Sequence, residues 1–160
     1  MEQTLKVENA TNMYPGRLVK KGTNDDDIVV NTAAGNAVGW LGYEQTTKKH
    51  RPATVDTIYL INAQAVILNG GGFVIVARLA SGESVAKGAP LVDAANGELK
   101  AASAGTVTIA SGSTTVLSDK AQPDEAVVGS YGDQGPVKAY AEETVDASGG
   151  AKDIMVRSLI

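Results

Sequence analysis

Short apolar runs separated by small and polar residues follow one another along most of the chain. β-Branched residues dominate these runs, and several alternate apolar with polar positions, as in Thr106–Ile109 and Ile154–Arg157. Turn signals rich in glycine recur between them, and no segment has the spacing of an amphipathic helix. The sequence therefore predicts an all-β fold, a small β-barrel or sandwich built of short hairpins. The predicted strands are 28–32, 37–43, 57–61, 64–68, 73–79, 89–94, 98–101, 106–110, 114–117, 126–131, 137–144 and 153–160.

Two local signals make sharper predictions. Phe73–Ala77 is continuously apolar, which is typical of a central strand that is covered on both faces. Asn96-Gly97 is the strongest signal for a two-residue hairpin, because both residue types tolerate a positive φ.

The ends of the predicted strands suggest how the chain is organised. Residues 1–15 are largely polar and finish at a turn signal, so we predict an extended N-terminal arm, followed by a single β domain at 16–160. Residues 16–38 also resemble residues 82–99, since each has a Lys-Gly turn, a strand and an Ala-Ala turn. This indicates an internal repeat, although β composition alone explains two similar hairpins equally well.

The composition suits one soluble domain with a thin core. Hydrophobic residues make up 43% of the 160, but most are Ala and Val, with one Trp and one Phe. Little apolar surface is then buried per residue, so we expect self-association or docking onto a partner. The net charge is -4, and the basic residues are scattered, with only Lys48, Lys49 and Arg51 close together, which argues against a nucleic-acid partner. No apolar run is long enough for a membrane span, and the N-terminus lacks the apolar core of a signal peptide.

The residues that usually carry chemistry are scarce. There is no cysteine, and His50, the one histidine, lies in a polar stretch without a neighbouring carboxylate. The run Asp25–Asp27 lacks the alternating spacing of a calcium loop, so we interpret it as a solvated turn. Lys120 follows Ser-Asp as at the tip of a lipoyl domain, but the expected return strand is missing. We therefore predict no catalytic, cofactor-binding or metal site, and no enzymatic activity.

A family resemblance gives this chain a role. The segment Arg78–Val92, the closing segment 139–160 and the opening Tyr14-Pro15-Gly16 resemble the cement, or head decoration, proteins of tailed bacteriophages. Together these segments extend over most of residues 14–160. They are patterns of turns and strands and include no catalytic signature.

The resemblance implies a structural virion protein, made in the host cytoplasm and seated on the capsid exterior. Its implied partner is the major capsid protein, whose neighbouring copies it would bridge, and its implied assembly is a homotrimer. The candidate partner contacts are apolar or aromatic residues of the predicted arm and of the strand near 40, with Trp40 equally suited to the core. They are Leu5, Val7, Met13, Tyr14, Trp40 and Tyr43. Two alternatives stay open: a carbohydrate- or host-binding surface module, and a lipoyl-like carrier domain that uses Lys120.

Overall fold

The computed structural model describes residues 2–32, 36–43, 56–102, 105–109, 127–131 and 136–160. In these ranges the chain forms fourteen β-strands and one 3-10 turn, which confirms the all-β prediction. The strands are β1 (Glu2–Val7), β2 (Leu18–Lys21), β3 (Asp27–Val30), β4 (Gly39–Leu41), β5 (Gln64–Leu68), β6 (Val74–Leu79), β7 (Ser84–Val85), β8 (Pro90–Asp93), β9 (Leu99–Ala101), β10 (Gly105–Ile109), β11 (Val127–Tyr131), β12 (Ala139–Ala141), β13 (Val145–Asp146) and β14 (Lys152–Ser158).

The first five strands close into a barrel in the order β1-β3-β2-β4-β5. The barrel closes because β1 pairs antiparallel with β5 on one side and parallel with β3 on the other. The ion pair of Lys6 with the buried Asp27, at 2.9 Å, joins these parallel strands. Hydrogen bonds from Asn24 and Lys6 hold the pKa of Asp27 below its usual value. The barrel interior holds Leu5, Val7, Met13, Val19, Ile28, Leu41, Tyr59, Ala65 and Ile67.

The prediction of an extended arm at residues 1–15 was wrong for the residues described. Residues 2–7 are strand β1, and its alternating side chains Leu5 and Val7 point into the barrel. Met13 is also fully buried, and its backbone carbonyl accepts a hydrogen bond from the Tyr59 amide at 2.8 Å. The polar residues between these positions lie on the outer side of the barrel. They made the segment resemble an arm in the sequence, although it contains the strand that completes the barrel.

The last strands close a second barrel in the order β12-β14-β6-β9-β8, with β7 and β13 paired beside it. Strand β6 occupies the predicted position, but the prediction that it is covered on both faces was wrong. Ile75 and Ala77 are buried, whereas Val74 and Val76 are 51% and 37% exposed. The continuous apolar run therefore reflects an apolar outer surface and not a second layer.

The turn signal at Asn96-Gly97 marks a real reversal. Strands β8 and β9 are antiparallel, and residues 95–97 between them form the 3-10 turn. Asn96 and Gly97 have φ of 58° and 67°, as the signal required, although the connection is longer than two residues. In the other proposed repeat copy, β3 and β4 each pair with β2 and not with each other. The two segments thus differ in pairing, and the internal repeat stays a prediction.

The two barrels share a hydrophobic core. Leu18 and Trp40 of the first barrel pack with Ile75, Leu91 and Val156 of the second. The indole Nε1 of Trp40 donates a hydrogen bond to the Ser158 hydroxyl at 2.9 Å.

Close backbone contacts at two glycines let the barrels approach. At Gly16, with φ of +78°, a Cβ would lie 2.1 Å from the Val76 carbonyl oxygen on β6. At Gly97 a Cβ would lie 2.5 Å from the Leu18 carbonyl oxygen. Any larger residue at either position would push the barrels apart.

A second compact unit comprises residues 103–135, and residues 1–102 with 136–160 form the first. Its described part is an antiparallel ladder of β10 and β11, with Gly105 opposite Tyr131 and Ile109 opposite Val127. The predicted strand at 114–117 lies outside the described residues. The domain division at residue 16 is otherwise untested and stays a prediction. Across the described ranges, no helix has the length and apolar character to cross a membrane.

Candidate interaction surface

One face of the second barrel carries apolar side chains that are open to solvent. Val74, Val76, Tyr140 and Met155 lie there on the neighbouring strands β6, β12 and β14, with exposed fractions between 37% and 51%. Met155 lies directly opposite Val76, and Arg157 lies between Tyr140 and Val74 in the register. Seven large apolar side chains of the described residues are exposed, and these four form one group, which we call the outer patch. Contiguous apolar surface of this kind marks interaction sites, unlike single exposed residues.

The outer patch follows from strand alternation. Ile154 and Val156 point into the second barrel, so Met155 between them must point outward. The same holds for Val76 between Ile75 and Ala77. The outward positions of a strand on a barrel surface are normally polar. Apolar residues at these positions were therefore a signal of an interaction surface that the sequence already contained.

Two ion pairs lie at the outer patch: the Arg157 pair reaches between Tyr140 and Val74, and the Arg78 pair lies beyond Val76 and Met155. Arg157 Nε lies 2.6 Å from Glu142 Oε1, and Arg78 Nη1 lies 2.8 Å from Asp153 Oδ1. Both pairs are partly exposed, so they contribute little to the free energy of folding. Their position instead gives the apolar surface a polar rim, the arrangement found in protein–protein interfaces.

A cleft of about 350 Å³ opens beside the Arg78–Asp153 pair. Residues of both barrels line it, and two guanidinium groups face two carboxylates, so its side chains carry no net charge. Such a lining favours neither an anion nor a cation, and we assign it no ligand. The lining residues are Asn12, Tyr14, Pro15, Arg17, Asp56, Ala77, Arg78 and Asp153.

Arg17 forms the floor of this cleft and fastens the first barrel to the β8–β9 turn. Its Nη1 donates to Glu98 Oε1 and to the Asn96 carbonyl oxygen, both at 2.8 Å. The guanidinium carbon also lies 5.7 Å from the centre of the Tyr14 ring, a cation–π contact. Burial lowers the pKa of Arg17, and the Glu98 carboxylate opposes that shift. Arg17 and Glu98 thus bind each other within the subunit.

The structure separates the six predicted partner contacts into two groups. Leu5, Val7, Met13 and Trp40 are buried in the two cores, so they stabilise the subunit and present no surface. Tyr14 and Tyr43 are only partly buried. The predicted contacts that stay available to a partner are therefore these two tyrosines.

Tyr43 lies against the edge of strand β6. Its hydroxyl donates a hydrogen bond to the Val76 carbonyl oxygen at 2.9 Å. Burial, with a smaller contribution from the Asp153 carboxylate, raises the pKa of Tyr43 to about 12. Tyr43 therefore stays protonated at physiological pH and continues to donate this hydrogen bond.

The structure does not assemble the other residues considered in the sequence analysis into a catalytic or metal site among the residues it describes. In the Asp25–Asp27 run, Asp27 binds Lys6 and Asn24, and the Asp25 carbonyl accepts a hydrogen bond from Lys21. Among the residues that the structure describes, no three His, Asp or Glu side chains are grouped to hold a metal ion. His50 and Lys120 lie outside those residues.

Comparison with known proteins identifies the family. Residues 3–131 match the family model described as the XM1 gp53 minor capsid protein. This range contains the first barrel except for Glu2 and extends through β11, and it ends before β12 of the second barrel. A search of curated proteins finds no match to the chain. Because the matched range covers more than half of the 160 residues, the chain belongs to the XM1 gp53 minor capsid protein family and is a phage capsid protein with a structural role.

Proposed function

We propose that this protein is a cement protein that binds the outside of the capsid and bridges neighbouring major capsid proteins. It thereby stabilises the shell, as a homotrimer and without enzymatic activity. The outer patch, found on a member of a capsid protein family, is the observation that carries this proposal. An apolar surface with a polar rim suits docking onto another protein.

The closed barrels favour docking through side chains. Most strands of both barrels are paired along two sides, which leaves little free edge for strand addition, and the narrowest junction is the single pair of Leu79 and Leu99 between β6 and β9. Docking through the side chains of the outer patch is therefore favoured. A rigid body with a fixed apolar face loses little entropy on binding. Many copies on a lattice then reinforce the shell even when each contact is modest.

The alternatives receive no comparable support. A carbohydrate-binding module needs exposed aromatic side chains, but Trp40, its best candidate, is completely buried, and Tyr140 is the one aromatic among the large exposed apolar side chains of the described residues. The carrier-domain hypothesis depends on Lys120, of which the structure gives no description.

Reversing the character of the outer patch tests the proposal. We expect Met155→Lys to weaken binding to capsids that lack this protein by about tenfold or more. The substitution places a charge in an apolar contact, and a tenfold loss of affinity corresponds to a cost of about 1.4 kcal/mol in the free energy of binding. The lysine would lie near Glu142 and Glu143, so the fold should tolerate it. Quantitative co-sedimentation with purified capsids measures the affinity.

Leu60→Lys is the matched control. Leu60 is 70% exposed in the turn before β5, so the same chemical change falls outside the outer patch. We expect its binding and the thermal stability that it gives to the shell to equal those of the unchanged protein. Equal binding by both variants, or equal losses, would contradict docking through the outer patch.

A further inference from the structure

Three polar side chains from distant parts of the chain lie at the junction of the two barrels, where Asp93 is close to both Asn31 and Lys138. Asn31 follows β3, Asp93 ends β8 and Lys138 precedes β12, and all three are buried. They share the surroundings of the fully buried Leu18 and Leu91, to whose backbones Asn31 and Lys138 are hydrogen-bonded. Buried polar groups of this kind are costly unless each finds a partner.

The hydrogen bonds of this cluster are incomplete. Among the described residues, neither polar atom of the Asn31 amide forms a hydrogen bond of good geometry and nor does Asp93 Oδ1, but the Asn31 side chain lies close enough to the Asp93 carboxyl group to act on its pKa. Lys138 Nζ lies 3.6 Å from Asp93 Oδ2, which is longer than an ordinary charge-assisted hydrogen bond. A buried polar group without a partner costs about 1–3 kcal/mol, so a covalent bond between two of these side chains would relieve part of that cost.

The three backbones are held in place, so the side chains cannot easily move apart. The Asn31 amide donates to the Leu18 carbonyl and the Asn31 carbonyl accepts from Gly97, both at 2.8 Å. The Lys138 amide donates to the Leu91 carbonyl at 2.8 Å. Asp93 is fixed by its pairing with Leu99 in the barrel. A nucleophile, a carboxamide and a carboxylate are thus confined together without bulk water.

We propose that Lys138 Nζ attacks the side-chain carbonyl carbon of Asn31 and forms an intramolecular amide bond, with Asp93 as the proton-transfer group. The new bond joins Nζ to Cγ, and the bond between Cγ and Nδ2 breaks. The departing nitrogen takes one hydrogen that came from Nζ and leaves as ammonia. No oxidant, reductant or cofactor takes part, and the reaction occurs once per molecule.

Asp93 suits the proton-transfer role. It accepts a proton from the Lys138 ammonium, which leaves the amine free to attack, and as a neutral acid it polarises the Asn31 carbonyl. Burial raises the pKa of Asp93, and this favours the protonated form, while the charge of Lys138 and the nearby Asn31 amide oppose the rise. The carboxyl group then relays a hydrogen to the departing nitrogen. After reaction, one new amide replaces the Lys138 amine and the Asn31 carboxamide, and the Asp93 carboxyl group remains beside it.

The product would tie the first barrel to the second through a bond between residues 31 and 138. Such a crosslink restricts the unfolded chain as a disulfide does, in a protein that has no cysteine. This function is independent of how the protein docks on the capsid.

Intact-mass measurement of the full-length protein tests the proposal. We expect the mass to be lower than the sequence mass by one ammonia, and proteolysis to release a branched peptide that contains both Asn31 and Lys138. A protein at the sequence mass would overturn the proposal and leave the cluster noncovalent.

Three variants separate the crosslink from other losses of ammonia. Cyclisation at Asn69-Gly70 or Asn96-Gly97 releases ammonia too, but it gives no branched peptide. We expect Asn31→Ala and Lys138→Arg to have the full sequence mass, and Asp93→Asn to form little or no crosslink while keeping a native circular dichroism spectrum. A variant without Asn31 that still gives a branched peptide at Lys138 would overturn the assignment. The branched peptide of the unchanged protein decides the matter even where a variant fails to fold.

Discussion

Deleting residues 2–13 is expected to unfold the first barrel. The deletion removes β1, which closes the barrel by pairing with both β3 and β5. It also removes Leu5, Val7 and Met13 from the core, each worth about 1.5–3 kcal/mol of burial. The total is comparable to the whole free energy of unfolding of an ordinary domain, about 5–15 kcal/mol. Loss of the β-sheet circular dichroism signal and rapid limited proteolysis of residues 14–68 would show this result.

A double substitution on the same strand is the control for this deletion. Gln3 and Thr4 are exposed, so replacing both with Ala keeps the backbone pairing and the buried residues. We expect a change of no more than about 0.5 kcal/mol in the free energy of unfolding. A deletion variant that unfolds at the same temperature as the intact protein would contradict the barrel and would restore the idea of a free arm.

Replacing Trp40 with Ala is the second change with a large expected effect. Trp40 is the one tryptophan, is completely buried and packs between the barrels. Removing so large a buried side chain costs about 3–5 kcal/mol, since the rigid barrels cannot collapse to fill the cavity. Chemical denaturation followed by circular dichroism measures the loss.

A second variant separates packing from hydrogen bonding at this position. Trp40→Phe keeps most of the apolar volume but loses the donor to the Ser158 hydroxyl. That hydroxyl retains contacts to the Gly70 and Ile160 carbonyls, so we expect a smaller cost of about 1–2 kcal/mol. Equal stability of the Ala and Phe variants would show that Trp40 does not fill the junction.

Local sequence pattern predicted much of the strand content. Strand β5 was predicted with its bounds at residues 64 and 68, because a compact run of apolar residues is bordered by turn formers. The reversal at Asn96-Gly97 was found because positive φ at both positions depends on the residue types themselves. Strand and turn signals of this kind depend only on a few neighbouring residues, so the sequence alone is enough to detect them.

The errors arose where distant segments decide the structure. The alternation of Leu5 and Val7 was visible, but a polar segment of this kind becomes a strand only because β3 and β5 lie on either side of it. The exposed face of β6 is likewise set by barrel closure, which places Val76 beside Met155 on the outside.

The functional features were the hardest to predict. The outer patch combines β6, near the middle of the sequence, with β12 and β14 more than 50 residues later, and Asn31, Asp93 and Lys138 share no sequence motif. Only the fold brings these groups together. The family match identifies a capsid protein. Its mode of docking on the capsid has to be inferred from the residues on its surface.

Cryo-electron microscopy of the virion tests the central claim most directly. We predict that capsids with this protein, compared with capsids of the same phage lacking it, show additional density on the outer surface. Each copy should bridge neighbouring major capsid proteins, with Met155 and Tyr140 at the contact. Density confined to the interior of the shell, or subunits that contact only one major capsid protein each, would contradict the proposal.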